Sequence, residues 1–189
     1  ADALGREYRA ITDAGFSLQI DSPDLAMAAH SRSVGSSITS WEEHLPLAIE
    51  ALNAALEGIP PEQVRLHVCW GNYAGPHHCD VPLANIIDEV LKANVGTIYP
   101  EGANPRHEHE WEVFKDVRLP DGMAVIIGCI DTKSNYVEHP RVVANRLTRL
   151  ASVIGRENVL AGTDCGFAQG QFVRRVHEDG VVGRQPAVR

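Results

Sequence analysis

Five apolar runs, each closed by a polar cluster and spaced by segments of helical periodicity, restrict what this chain can fold into. Phe16–Ile20 runs into Asp21-Ser22-Pro23-Asp24, and Leu66–Trp70 into Gly71-Asn72-Tyr73. Val95–Tyr99 runs into Pro100-Glu101-Gly102, and Met123–Ile130 into Asp131-Thr132-Lys133. The fifth begins at Val159 and ends in Asp164-Cys165-Gly166. Between them, Leu45–Leu56, Leu83–Leu91 and Val142–Ile154 carry apolar residues at helical intervals. Strands alternating with helices imply right-handed crossovers and a parallel sheet, so the predicted class is α/β. Barrels and open sheets of this class place active sites at the C-terminal strand ends, where these polar clusters fall.

Those clusters contain the residues of most chemical interest. His67 and Cys69 are two apart in one strand and therefore share a face. Cys165, at the mouth of a later strand, supplies a second thiol. One imidazole and two thiolates are a set that borderline-soft zinc favours, and three protein ligands leave a position open for substrate. A lone His-x-Cys carries little weight by itself, because cysteine often packs as a small hydrophobe. The repeated strand-end layout is what lifts it above that reading.

Other motifs have plainer readings. His107-Glu108-His109-Glu110 resembles a metal cluster, yet it is expected to begin a helix after Pro105 and present a solvated or partner-binding face. His77-His78-Cys79 lies in a loop and is a candidate only for adventitious metal. Cys129, in mid-strand, reads as core. Asp164 points away from Cys165 in a regular strand, which suits a supporting role better than ligation.

A chain of 189 residues normally makes one domain with a sizeable core, here residues 1–189 with a flexible tail over 178–189. Ser31–Ser37 is the other loose segment. The formal net charge of -8 argues against broad nucleic-acid or membrane-surface binding. No apolar stretch is long enough to span a bilayer. Four cysteines are too few for a disulfide scaffold, so a reduced, cytoplasmic setting is expected.

Four stretches carry a resemblance: Gln19–Pro23, His67–Asn72, Glu101–Arg106 and Asp164–Phe167. In this order they resemble the C-terminal catalytic barrel of cobalamin-independent methionine synthase, and especially its short single-barrel relatives. The resemblance implies a TIM (β/α)8-type barrel and zinc held by His67, Cys69, Glu101 and Cys165. It places Asp21 against a substrate amino group; beside that, Asn72 is read as closing the loop or touching substrate, and Asp164 is counted with the substrate site. The implied activity is S-methylation of a thiol, homocysteine first, with a folate or corrinoid methyl donor. No nucleic-acid or membrane partner is implied.

Two departures bear on that expectation. Where full-length methionine synthases carry a proton-donating histidine, this chain reads Asp131-Thr132-Lys133-Ser134. Lys133 replaces that acid only if its pKa is lowered; otherwise it suits a substrate anion. The segment Tyr73–His78 also resembles the epoxyalkane:coenzyme M transferases, which activate another thiol. Second, five strands are visible against the eight of a complete barrel. They correspond to a partial barrel, its last five βα units. Either the sequence is a fragment, with a non-catalytic zinc-binding remnant of such a barrel as the alternative to an enzyme, or two copies complete one another as a homo-oligomer.

Overall fold

The computed structural model describes residues 1–27, 40–73, 76–169, 172–176 and 182–184. The predicted loose segment Ser31–Ser37 and the tail residues 177–181 and 185–189 lie outside the described residues.

Helix α1 (Asp2–Asp13) leads into β1 (Leu18–Asp21), followed by the short α2 (Asp24–Met27) and by α3 (Trp41–Ala55). Strand β2 (Val64–Val68) is followed by α4 (Leu83–Val90), β3 (Thr97–Pro100), β4 (Ala124–Ile130), α5 (Pro140–Ile154) and β5 (Val159–Thr163). The five strands form one parallel sheet in the order β1-β2-β3-β4-β5. The partial-barrel expectation therefore holds. Between β3 and β4 the expected helix is replaced by turns and a 3-10 helix over Glu110–Lys115. The tail predicted from residue 178 contains a strand, β8 (Val182–Arg184), paired antiparallel with β7 (Phe172–Val176); β7 in turn pairs with β6 (Ala168–Gln169).

Local signals explain the helix limits. Ser40 caps α3 by accepting from the Glu43 amide at 3.2 Å, the Ser-x-x-Glu arrangement that satisfies an orphan donor. Pro140 opens α5, where a missing N–H is harmless, and Gly155 ends it at φ 86°, a conformation that favours glycine.

Alternation along β2 divides the sheet into two faces. Val64, Leu66 and Val68 join Ile20, Ile98, Val125 and Ile127 in a core shared with Leu45, Ile86 and Leu150 of the helices. Full burial of such an aliphatic side chain contributes about 1.5–3 kcal/mol. The other face carries Arg65 and His67, and Cys69 follows directly after the strand. Register sets Asp21, His67 and Tyr99 in one row across β1, β2 and β3, on that face. Edge strands β1 and β5 bound the sheet, and Leu160 on β5 is 48% exposed. Among the described residues no helix is long and apolar enough to cross a membrane.

Close packing behind the site makes one glycine sensitive. A Cβ at Gly128 on β4 would meet the Asp164 carboxylate and stand 2.9 Å from its Cα, whereas one at Gly166 would meet nothing within 4 Å. Gly128→Ala is expected to lower stability by about 1–3 kcal/mol through overpacking. Gly166→Ala should stay within about 0.5 kcal/mol of the parent. Urea denaturation of the two variants checks this; equal effects would show that the β4–β5 packing is not the constraint.

Candidate metal centre

At the C-terminal end of the sheet, the β2 face delivers His67 and Cys69, and the segment after β5 delivers Cys165; all three are buried. His67 Nδ1 lies 2.8 Å from the Tyr99 carbonyl, which can only accept, so this nitrogen carries the proton. The Nε2 lone pair is thereby aimed at Cys165 Sγ, 3.4 Å away. Backbone carbonyls fix metal-binding imidazoles in this manner. One ligand atom each from His67, Cys69 and Cys165 lies within 4.8 Å of the others.

Electrostatics shows what the cluster lacks. A hydrogen bond from Cys165 draws the Cys69 pKa down to about 5 against the effect of burial, and His67 lowers it further. Cys165 is pushed strongly up, first by that same hydrogen bond and then by burial and by Glu101. Burial acts to lower His67, but the hydrogen bond and charge of Cys69 outweigh it and the net shift is upward. One thiol thus ionises readily and the second resists, because Cys165 gives its hydrogen bond to Cys69 and its own ionisation would bury a further negative charge beside Glu101. A borderline-soft divalent cation would stabilise both thiolates, so the donor set fits one.

Glu101, fully buried just after β3, stands beside this trio. Its Oε1 is 3.1 Å from Cys165 Sγ, while Oε2 accepts from Asn104 Nδ2 at 2.6 Å and from Lys133 Nζ at 2.7 Å. The carboxylate is therefore shared between the thiols and a cationic neighbour. Burial pulls the Lys133 pKa down, but the charge of Glu101 and its hydrogen bond more than reverse this, and the net direction is up. The lowered pKa that an acid role for Lys133 requires is absent. Lys133 is instead the partner of an anion, and that anion is Glu101.

Asp164 lies behind the ligands. Oδ1 accepts from the Gly102 and Ala103 amides at 2.9 and 2.8 Å, and Oδ2 from the amide and side chain of Asn104, both at 2.7 Å. These bonds bind the Glu101 loop to the Cys165 segment, and they turn Asp164 toward the loop and away from the mouth. Asn72 Nδ2 donates to the Gly166 carbonyl at 2.6 Å, so it closes the β2-end loop onto the β5-end loop. Asp21 is exposed on the His67 face, with Gln19 Nε2 donating to it at 3.1 Å. Cys129 is buried in β4, as expected.

The expected solvated face at His107–Glu110 is found in part: His109 is exposed, but His107 and Glu110 are 2% and 3% exposed. Tertiary contacts override the polar composition there, because both side chains find partners from other segments. Sequence reading also missed the positioning chain behind Lys133. Arg146 Nη1 on α5 donates to Cys129 O and to Glu138. Glu138 accepts the Asp131 amide at 2.7 Å, and Asp131 accepts the Lys133 amide at 2.8 Å. Asn104 was missed as well, although its position three residues after Glu101 was a usable signal.

Comparison with known proteins agrees with the fold. Residues 1–177 match the family model described as the catalytic domain of cobalamin-independent synthase. A 2-hydroxypropyl-CoM lyase from Xanthobacter autotrophicus is 33% identical over 145 residues, 64% of this chain and 39% of that protein. A methionine synthase from Thermococcus kodakarensis is 27% identical over 168 residues, 88% of this chain and 42% of that protein. In structure, a B12-independent methionine synthase from a Shewanella species has a TM-score of 0.66 at 21% identity, covering 87% of this chain and 46% of that one. The chain thus spans less than half the length of these relatives. With the family model running through the whole parallel sheet, the chain belongs to the cobalamin-independent synthase family and carries catalytic-domain sequence over residues 1–177.

Proposed function

We infer that this chain provides the thiol-activating half of an enzyme that alkylates a thiol, with homocysteine as the substrate and methionine as the product. Convergence of His67, Cys69 and Cys165 at one strand-end cluster carries the reading. These three would hold zinc, with Glu101 as an exchangeable fourth ligand. Bound there, zinc would favour the ionised, nucleophilic form of a substrate thiol at neutral pH.

The chain's own residues supply the rest. Tyr99 O fixes the His67 tautomer, and Asp164 fixes the loop bearing Glu101. Lys133 and Asn104 hold Glu101 at Oε2, which leaves Oε1 beside Cys165 and provides somewhere for the carboxylate to withdraw when substrate arrives. Asp21, exposed on the same face as His67, suits a substrate ammonium group, with Asn72 bracing the mouth. The methyl donor, folate or corrinoid, is left open, because Lys133 is committed to Glu101 rather than poised as an acid.

A second reading draws on the 33% identity to a protein named 2-hydroxypropyl-CoM lyase. Its thiol would carry a sulfonate in place of an amine and would need cations, here Arg106 or Lys133. Lys133 already faces Glu101, so the geometry favours the amino-thiol.

Two measurements test the reading. Cobalt-substituted protein should show thiolate-to-metal absorption that Cys69→Ser or Cys165→Ser abolishes and that Cys79→Ser or Cys129→Ser leaves intact; loss in the Cys79 variant sinks the ligand assignment. Asp21→Asn should weaken homocysteine binding by roughly 1.5–3 kcal/mol, the range for a hydrogen bond to a charged group, with the cobalt spectrum unchanged. Calorimetry that finds normal homocysteine binding in this variant, or tighter binding of a sulfonated thiol by the parent, favours the second reading.

A further inference from the structure

A second group of buried ligating side chains lies outside the cysteine site. His77, Asp80 and His107 each place one ligand atom within 4.8 Å of the others. Asp80 Oδ2 is 3.0 Å from His77 Nδ1 and 2.7 Å from His107 Nε2. Each imidazole is held from its far side by an acceptor. His77 Nε2 faces the Tyr73 carbonyl at 3.0 Å, and His107 Nδ1 faces Glu110 Oε1 at 3.4 Å. Glu110 is itself anchored by the Leu83 amide.

Two inward imidazole nitrogens therefore flank a single carboxylate oxygen, and each of the three side chains can offer one ligand atom to a common ion. An imidazole whose outer nitrogen is held by a carboxylate or carbonyl while the inner one points at a shared centre is the arrangement that orients metal ligands.

Backbone geometry adds an independent indication. His77 is the single non-glycine residue with positive φ among the described residues, at 51°. Such strain persists only where the surroundings enforce it, and it gathers at ligand clamps. The Tyr73 ring stacks on His77 at 4.2 Å and the Trp70 ring on His107 at 3.7 Å, so both imidazoles are also fixed in plane.

We propose that His77, Asp80 and His107 form a second divalent-cation site, distinct from the thiolate site and of the two-imidazole, one-carboxylate class that zinc and neighbouring first-row ions occupy. Its role is to fasten the loop between β2 and α4. Because Trp70 follows Cys69 directly and stacks on His107, an ion there would also stiffen the end of β2 that presents Cys69.

Zinc titration against a chromophoric chelator tests this in the Cys69→Ser/Cys165→Ser double variant, which lacks the thiolate site. This variant should still bind about one zinc, as expected for a single three-ligand site. In the same background, His107→Gln or Asp80→Asn should weaken zinc at least 100-fold, and Glu110→Gln about 10–100-fold as an orienting partner. His78→Gln and Cys79→Ser, exposed neighbours, should change nothing. The proposal is overturned if the double variant binds no zinc, or if the His78 or Cys79 variant loses it. Circular dichroism on each protein separates lost zinc affinity from lost fold.

Discussion

Everything at the candidate site rests on one carboxylate. Asp164 accepts the consecutive amides of Gly102, Ala103 and Asn104 as well as the Asn104 side chain, all while fully buried. Burial raises its pKa, and the hydrogen bonds from Gly102 and Asn104 act in the opposite direction. Without those donors a buried carboxylate would be costly; with them it welds the β3 end to the β5 end. That weld sets the Glu101 carboxylate beside the Cys165 thiol. Gly128 leaves the space that Asp164 occupies.

The second organising constraint is charge. Two thiols, a carboxylate and an imidazole gather in a buried place, and Lys133 is the basic side chain recorded against the carboxylate. Lys133 neutralises Glu101 but does not resolve the paired thiols, one of which resists ionisation. The protein has balanced half of the site from its own chain and left the other half suited to a cation. A similar grouping recurs at His77, Asp80 and His107, where two imidazoles meet one carboxylate. Trp70 links the two regions through its stack on His107.

Much of the fold was legible because strand and helix periodicities are local properties. Alternation in Val64–Val68 separated core from site, and extending it one residue past the strand end placed Cys69 with His67 before any contact was known. The apolar runs located five strands and three helices within a few residues. Phe16 and Trp70 were the errors at strand limits: Phe16 is 67% exposed ahead of β1, and Trp70 is buried beyond the end of β2. The His107–Glu110 stretch misled because four polar residues in a row read as solvent-facing when their partners, Asp80 and the Leu83 amide, are 27 residues away.

The sequence by itself determined which residues share a face and which lie at strand ends, because a side-chain period of two depends only on the backbone of one strand. It therefore sufficed to name His67, Cys69 and Cys165 as a possible set. Only the tertiary structure decided that Lys133 meets Glu101, that Asp164 clamps the 102–104 amides, and that Asn72 reaches Gly166. Those pairings join residues 32 to 94 positions apart. They follow from strand order, register and helix packing together, and no local pattern encodes such a distance.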